Sequence, residues 1–201
     1  MPNCAYCRIH ACDRKAAQQM PPNCPSHDIT DQTLMEYLTE RNRDFGREAS
    51  IVSMSPDGKL PRIMEIIDLA HRCRFQKLGV AFCMGFVKEA EILASILKRH
   101  NFSVESVVCK VGGIDKAHQG IENGGNAMCN PIAQAQLLND CHTDFNIALG
   151  LCVGHDSLFF RYSQAPATVL AVKDKVLAHN PLGALYTADD YYRDLLYPDS
   201  P

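Results

Sequence analysis

Three short apolar runs in this chain each end at a cysteine that is followed by glycine within three residues. The runs are residues 78–82 before Cys83, residues 104–108 before Cys109, and the start of residues 146–159 before Cys152. Short apolar runs bounded by glycine are typical of buried strands in a parallel sheet, and the residues after such strands usually face a ligand. Parallel neighbours lie about 4.8 Å apart, so their carboxyl ends would bring three sulfurs to one edge of one sheet. The pattern therefore predicts a metal or cluster site.

A fourth cysteine, Cys129, follows a glycine-rich loop and precedes Asn130 and Pro131, a good helix cap and a good first helical residue. The positive end of a helix dipole favours a thiolate there. We take Cys83, Cys109, Cys129 and Cys152 as the main cofactor-binding site. Four thiolates select zinc, copper(I) or an iron–sulfur cluster over magnesium or calcium. We prefer a cluster, of the 4Fe-4S type, because the neighbouring glycines let backbone N–H groups approach its sulfurs. The alternative is that these cysteines are small buried apolar residues.

Polar residues beside these cysteines are the candidate catalytic groups. His155 and Asp156 follow Cys152 and would face whatever the sulfurs bind. A histidine there could move protons or bind an open iron position, and the aspartate could orient it. The alternative is a loop histidine that is hydrogen-bonded to backbone. Lys110 could balance thiolate charge or bind an anionic substrate, and His179 is a second candidate for the wall of the pocket.

The N-terminal residues carry a separate cysteine group with the pattern Cys4-x2-Cys7-x4-Cys12-x11-Cys24-Pro25. This segment has too few apolar residues to form a core, so we expect these four cysteines to bind a metal that holds it together. A structural zinc site supplies about 10 to 16 kcal/mol of apparent binding energy. The spacing also suits iron–sulfur ligation, in which a Cys-Pro pair often completes the set, so zinc and a second cluster both stay open. His10 and His27 could replace a cysteine, and free thiols on a disordered tail are the remaining alternative.

Composition limits the possible functions. The 201 residues carry a net charge of -3, so no basic surface indicates nucleic-acid binding. The longest apolar runs are far shorter than the roughly 20 residues that span a bilayer, and the N-terminus is not a secretory signal, so we expect a cytoplasmic protein that is not in a membrane. Ten cysteines in a reducing compartment are more typical of ligands or catalysts than of disulfides. Cys73 is expected to be a core residue and Cys141 a bystander.

The order of the predicted elements indicates an α/β fold. We expect a three-layer sandwich around a mostly parallel sheet of four or five strands, because strands and helices alternate after residue 77. The predicted divisions are a metal-binding knuckle at residues 1–28, a helical segment at residues 29–76, and the α/β domain at residues 77–201. In the helical segment, a helix should begin at Thr30 and Asp31 and continue through Arg47, and a turn should follow at residues 55–58. The strand at residues 168–173 has no cysteine at its end, so we expect it at an edge of the sheet, away from the site.

The chain also resembles a known family. The resemblance is carried by Cys109-Lys-Val-Gly-Gly-Ile-Asp-Lys116, Met128-Cys-Asn-Pro131 with Gln134-Ala135, and Gly150-Leu-Cys-Val-Gly-His-Asp-Ser157 through Ala178-His-Asn-Pro181. In these stretches the chain resembles a family of uncharacterised prokaryotic cysteine-rich proteins that are labelled as metal-binding and classed as a domain of unknown function. The similarity extends over nearly the whole length, including the N-terminal cysteines. It implies metal binding and names no reaction.

Three functions remain open at this point. The first is an iron–sulfur protein that passes electrons to a redox partner or acts on a small sulfur- or oxygen-containing substrate. The second is a non-catalytic protein that binds zinc or another soft metal. The third is an enzyme with Cys152 or Cys129 as nucleophile. The sequence does not predict the substrate or the oligomeric state.

Overall fold

The computed structural model describes residues 3–29, 31–54 and 60–198. The chain divides into two compact units, residues 1–54 and residues 55–201. The predicted turn at residues 55–58 and the predicted first helical residue Thr30 lie outside the described residues. The boundaries after residues 28 and 76 stay predictions.

The first unit contains short helical segments and almost no buried surface. Three 3-10 turns span Cys4–Tyr6, Ala17–Gln19 and Pro25–Asp28, and two helices follow, α1 (Asp31–Leu38) and α2 (Glu40–Ser53). The single helix predicted here is wrong, because the backbone of Thr39 is extended and its hydroxyl donates to the carbonyl of Glu36. Among the described residues of this unit only Ala11 is buried. The unit therefore has no hydrophobic core of ordinary size.

The second unit is built on four parallel strands, and this confirms the predicted fold class. The strands are β1 (Lys77–Phe82), β2 (Ser103–Val108), β3 (Phe145–Leu151) and β4 (Ala167–Val172), in the order β2-β1-β3-β4. Every neighbouring pair is parallel. The helices are α3 (Arg62–Arg72), α4 (Val87–Arg99), α5 (Pro131–Asp140), α6 (His155–Tyr162), α7 (Leu182–Tyr186) and α8 (Arg193–Leu196). Every residue of β3 is buried, as expected for a strand that is covered on both faces.

Helices cover both faces of the sheet, which gives three layers. The connection from β1 to β2 through α4 and the connection from β2 to β3 through α5 run in opposite directions across the sheet. Because such crossovers are right-handed, α4 and α5 lie on opposite faces. Ala135 and Leu138 of α5 share a buried cluster with Phe159 of α6, so α5 and α6 lie on the same face. The ring of His71 in α3 stacks on Phe102, just after α4, at a centroid distance of 4.5 Å.

The strand order creates a topological switch point between β1 and β3. The chain leaves β1 towards the α4 face and leaves β3 towards the α6 face, although the two strands are neighbours. In open α/β sheets the ligand crevice lies at the carboxyl ends of such a pair, because the connections that follow the two strands turn to opposite faces. Cys83 and Cys152 follow these two strands directly.

A close contact fixes the centre of the sheet. A Cβ atom on Gly79 of β1 would lie 2.0 Å from Oδ1 of Asn146 in β3. Asn146 is fully buried, accepts a hydrogen bond from Thr143 at 2.8 Å and donates one to Ser163 at 2.8 Å. The missing side chain at Gly79 therefore makes room for a buried polar network.

We expect Gly79→Ala to lower the free energy of unfolding by about 1 to 3 kcal/mol, because the added methyl group overpacks a rigid site. Gly183→Ala is the matched control, since its Cβ would make only ordinary contacts with Leu177. Urea denaturation of both variants measures the difference. Equal midpoints for the two variants would show that the contact at Gly79 relaxes freely.

Candidate functional site

Two of the predicted site cysteines, Cys83 and Cys109, lie side by side at the carboxyl edge of the sheet. The backbone N–H of Cys83 donates to the carbonyl of Leu149 at 3.1 Å, and that of Cys109 donates to Phe82 at 2.8 Å, so the ladder continues one residue past each strand. Both side chains are buried, with exposed fractions of 4% and 3%. The backbone N–H of Met84 donates to the sulfur of Cys109 at 3.3 Å.

Cys129 joins this pair from the start of α5. Asn130 caps the helix, with its Oδ1 accepting from the backbone N–H of Ala133 at 3.1 Å. The N–H of Asn130 donates to the carbonyl of Cys109 at 2.7 Å and so ties the end of the glycine-rich loop to the sheet. The sulfurs of Cys129 and Cys109 are 3.9 Å apart. The predicted meeting of these two cysteines is therefore present in the fold.

The backbone of β3 is irregular just before Cys152. Gly150 has a φ of 65°, and the pairing with β4 shifts register on both sides of Leu149. A Cβ on Gly150 would lie 2.2 Å from the ring of Phe86, so the ring packs directly on this backbone. Irregularities of this kind commonly re-aim the next side chains. The carbonyl of Cys152 then accepts the N–H groups of His155 and Asp156 at the start of α6.

Lys173 is the site residue that sequence reasoning missed. It follows β4, and its Nζ donates to the sulfur of Cys83 at 2.9 Å. Strand β4 is at an edge of the sheet, as predicted, but the prediction that its end lies away from the site is wrong. The long lysine side chain reaches across the end of β3. A lysine directly after a strand could have been recognised as pointing to the shared edge.

Lys173 and burial shift the pKa values of the thiols in opposite directions. Burial raises the pKa of Cys83, but the hydrogen bonds from Lys173 and from the N–H of Gly85 outweigh it, so the pKa is lowered overall. Burial raises the pKa of Cys109 to about 12, and the neighbouring sulfurs add to the effect. Burial also raises the pKa of Cys152, although Lys173 partly offsets it. The hydrogen bond with Cys83 raises the pKa of Lys173 itself. Lys173 therefore favours ionisation of Cys83, whereas burial disfavours ionisation of Cys109 and Cys152.

The remaining predicted polar residues near the edge have other contacts. Asp156 accepts a hydrogen bond from the backbone N–H of Ser157, and His155 is the half-buried first residue of α6. Lys110 donates to the carbonyl of Ala127 and so closes the glycine-rich loop. The ring of His179 lies 4.5 Å from that of Phe86, and its Nδ1 accepts from the N–H of Asp174. The predicted roles of His155 and Asp156 in proton transfer stay predictions.

The N-terminal cysteines also share a location. Cys4, Cys7, Cys12 and Cys24 all line one cavity of about 340 Å³ in the first unit. Cys7 accepts backbone N–H bonds from His10 and Ile9, which lower its pKa. His10 lines the same cavity, whereas the ring of His27 is hydrogen-bonded to the carbonyl of Pro21.

Neither cysteine group is arranged around a point that a single ion would occupy. Zinc–sulfur bonds of about 2.3 Å require sulfurs about 3.8 Å apart in a tetrahedron. Among the described residues, no three Cys, His, Asp or Glu side chains converge in this way. The pair Cys109 and Cys129, at 3.9 Å, has the spacing of one tetrahedral edge.

The two other cysteines lie away from the carboxyl edge. Cys73 follows α3 shortly before β1, and Cys141 follows α5 shortly before β3, so both are near the amino ends of the strands. Both are half-buried, and the carbonyl of Cys141 accepts from Nζ of Lys77 at 2.8 Å. Cys141 therefore offers a control position for experiments on the site.

Comparison with known proteins identifies the family and leaves the chemistry open. In the part of the chain that the structure describes, no helix has the length and apolar character that crossing a membrane requires. An uncharacterised protein of Methanocaldococcus jannaschii, MJ0455, is 47% identical over 164 residues, which are 80% of this chain and 84% of that protein. Residues 22–170 match a family described as "Protein of unknown function (DUF1847)". The match includes Cys24 and the four edge cysteines, which are Cys83, Cys109, Cys129 and Cys152. It begins after Cys4, Cys7 and Cys12, so it is shorter than the nearly full-length resemblance predicted from the sequence. This chain belongs to the DUF1847 family, and the predicted resemblance to an uncharacterised family is confirmed.

Proposed function

We propose that Cys83, Cys109, Cys129 and Cys152 bind an iron–sulfur cluster, and that the protein serves electron transfer or redox chemistry on a small sulfur- or oxygen-containing molecule. One observation carries the proposal. Cys83 and Cys152 follow the two strands at the switch point, Cys109 and Cys129 meet beside them at the same edge of the sheet, and the ammonium group of Lys173 contacts Cys83. Such an edge is where open α/β sheets bind their ligands.

The chemistry of these donors suits a cluster. Iron–sulfur clusters are held by thiolates, and hydrogen bonds to the sulfurs and local charge tune them. Here the N–H of Met84 donates to Cys109 and that of Gly85 donates to Cys83. When bound, a cluster would supply one-electron transfer.

The chain's own groups have separate tasks in this proposal. Lys173 offsets the negative charge of the thiolates, and the burial of Cys83 and Cys109 excludes water from them. The start of α5 follows Cys129 directly, which places the positive end of the helix dipole beside this residue. His155 would hold a proton beside the site, at the start of α6.

A single soft metal ion is the second candidate. The distance of 3.9 Å between the sulfurs of Cys109 and Cys129 supports it, because this is the separation that two zinc ligands require. In that case the protein binds zinc without catalysis.

A thiol enzyme is less well supported. At the carboxyl edge of the sheet, burial raises the pKa of Cys152, and Cys83, whose pKa is lowered, is only 4% exposed. A nucleophile needs both ionisation and access to the substrate. These two properties fall on different residues here.

We further propose a cytoplasmic location and, as partners, a redox protein or a small molecule. Ten cysteines suit a reducing compartment, and the net charge of -3 favours neither nucleic acid nor an anionic surface.

Anaerobically purified protein should be brown and contain iron matched by acid-labile sulfide. We expect the double variant Cys109→Ser and Cys129→Ser to lose the iron and sulfide of the cluster at the carboxyl edge of the sheet, because both sulfurs are ligands in the proposal. Cys141→Ser should retain the full content. Metal and sulfide analysis of the three proteins makes the comparison. Colourless wild-type protein with stoichiometric zinc would instead support the second candidate.

The charge of Lys173 should set the reduction potential of the edge cluster. A nearby cation stabilises the more negative, reduced state, so Lys173→Met should move the midpoint potential to more negative values. Lys173→Arg should retain most of the wild-type potential. Lys175→Met is the matched control, because Lys175 is exposed and lies two residues further along the same segment. If Lys173→Met and Lys175→Met have the same potential in a redox titration, Lys173 has no electrostatic role.

A further inference from the structure

We propose that His179 and Lys173 together bind a carboxylate group of the small molecule that reacts at the carboxyl edge of the sheet (the edge site). In this arrangement His179 donates a hydrogen bond from Nε2, and Lys173 supplies the opposite charge. The inference rests on the proposed function for the role of the bound molecule. The binding contacts themselves do not depend on a cluster.

A backbone contact fixes which nitrogen of His179 carries the ring proton. The N–H of Asp174 donates to Nδ1 of His179 at 3.1 Å. A backbone N–H can only donate, so Nδ1 is the acceptor and, in the neutral ring, the proton lies on Nε2. In this form His179 is a hydrogen-bond donor, and neither of its nitrogens has a free lone pair with which to act as a base or to bind a metal.

The donor nitrogen of His179 is available to a ligand. The residue is exposed, and its side-chain hydrogen bonding with the described residues goes through Nδ1. Its ring packs on the buried ring of Phe86 at a centroid distance of 4.5 Å, which limits how the imidazole can turn. Nε2 is therefore held at the surface with its proton unused.

The loop that carries His179 has an uncommon backbone conformation. Ala178 and His179 have φ angles of 50° and 66°, in the left-handed region that residues with a side chain rarely adopt. Asp174 holds this conformation, because its carbonyl accepts the N–H of His179 at 2.8 Å and its carboxylate accepts the N–H groups of Val176 and Leu177 at 3.0 Å. Strained conformations that the surrounding contacts impose are concentrated at ligand-binding sites.

Lys173 and His179 approach the same short turn, Met84–Phe86, at the end of β1. Nζ of Lys173 lies 3.8 Å from the position that a Cβ on Gly85 would occupy, and the ring of His179 packs on the next residue, Phe86. Gly85 is exposed and has no side chain, so this turn does not cover the two donors. The two donors therefore lie over neighbouring residues of one exposed turn.

The number and charge of these donors suit a carboxylate. Lys173 uses one of its three N–H groups for the sulfur of Cys83, at 2.9 Å, and two remain. One ammonium group and one neutral N–H match the two oxygens and the single charge of a carboxylate. A dianion such as phosphate would place a second negative charge beside Cys83, and like charges repel.

The position of the ring proton is tested first. A long-range hydrogen–nitrogen NMR spectrum of the full chain, kept reduced and anaerobic in mildly alkaline buffer, should show His179 protonated at Nε2. His118 is the internal reference, because its Nδ1 lies 3.2 Å from the carbonyl of Asp115, which can only accept. His118 should therefore show the opposite tautomer. A proton on Nδ1 of His179 would overturn the inference.

Binding is tested with acetate and with its uncharged analogue acetamide, by NMR titration of the same protein. His179→Asn keeps an acceptor oxygen near the position of Nδ1 and tolerates the left-handed backbone, but it lacks the outward N–H. We expect acetate to bind in preference to acetamide, His179→Asn to bind acetate about tenfold more weakly, and the control His118→Asn to bind it as the wild type does. Equal affinity of the wild type and His179→Asn for acetate would overturn the inference, and so would tighter binding of inorganic phosphate.

Iron and sulfide are measured in the same samples, which separates this inference from the proposed function. Wild-type protein that lacks a cluster but binds acetate through His179 would contradict the proposed function and support the binding contacts. Cluster-containing protein whose affinity for acetate is unchanged in His179→Asn would contradict this inference alone.

Discussion

The parallel alignment of all four strands is the constraint on which the site depends. Because neighbouring strands run in the same direction, all four carboxyl ends lie at the same edge, and the connections after β1 and β3 leave towards opposite faces of the sheet. Cys83, Cys109, Cys152 and Lys173 each come directly after a strand. An antiparallel arrangement of the same segments would have separated these four residues to opposite edges. A buried cluster of Ala81, Leu151 and residues of α5 and α6 packs under the strand ends on one face of the sheet.

The contact between Lys173 and Cys83 indicates that the cysteines at the carboxyl edge are more than small buried side chains. Without it, Cys83 and Cys109 would be small buried apolar side chains, and burial alone would explain them. An ammonium group at 2.9 Å from a buried sulfur is costly to desolvate unless it meets a negative charge. The pair therefore supports an ionised site, and an ionised sulfur is the form that binds soft metals.

The two units of the chain differ in how much buried apolar surface they contain. Residues 60–198 contain buried strands, with β3 covered on both faces, and their packing explains their structure. The described residues of the first unit contain one buried alanine and four cysteines around a cavity. Packing alone does not account for that arrangement, and metal binding by the N-terminal cysteines stays a prediction. The family match, which begins at residue 22, contains the whole edge site but only Cys24 of this second group.

The sequence by itself determined the α/β class, the four strands to within about a residue, and the meeting of Cys109 with Cys129, because apolar runs, glycines and helix caps are local signals. It did not reveal the break between α1 and α2, where the hydroxyl of Thr39 bonds back to Glu36 and competes with the helical pattern. The partner of Cys83 was also beyond sequence reasoning. Lys173 is 90 residues away from Cys83, and only the strand order brings β4 close enough for a lysine to reach across β3. Local sequence signals thus predicted which cysteines lie at the ends of the strands, and only the tertiary structure decided that Lys173 lies beside one of them.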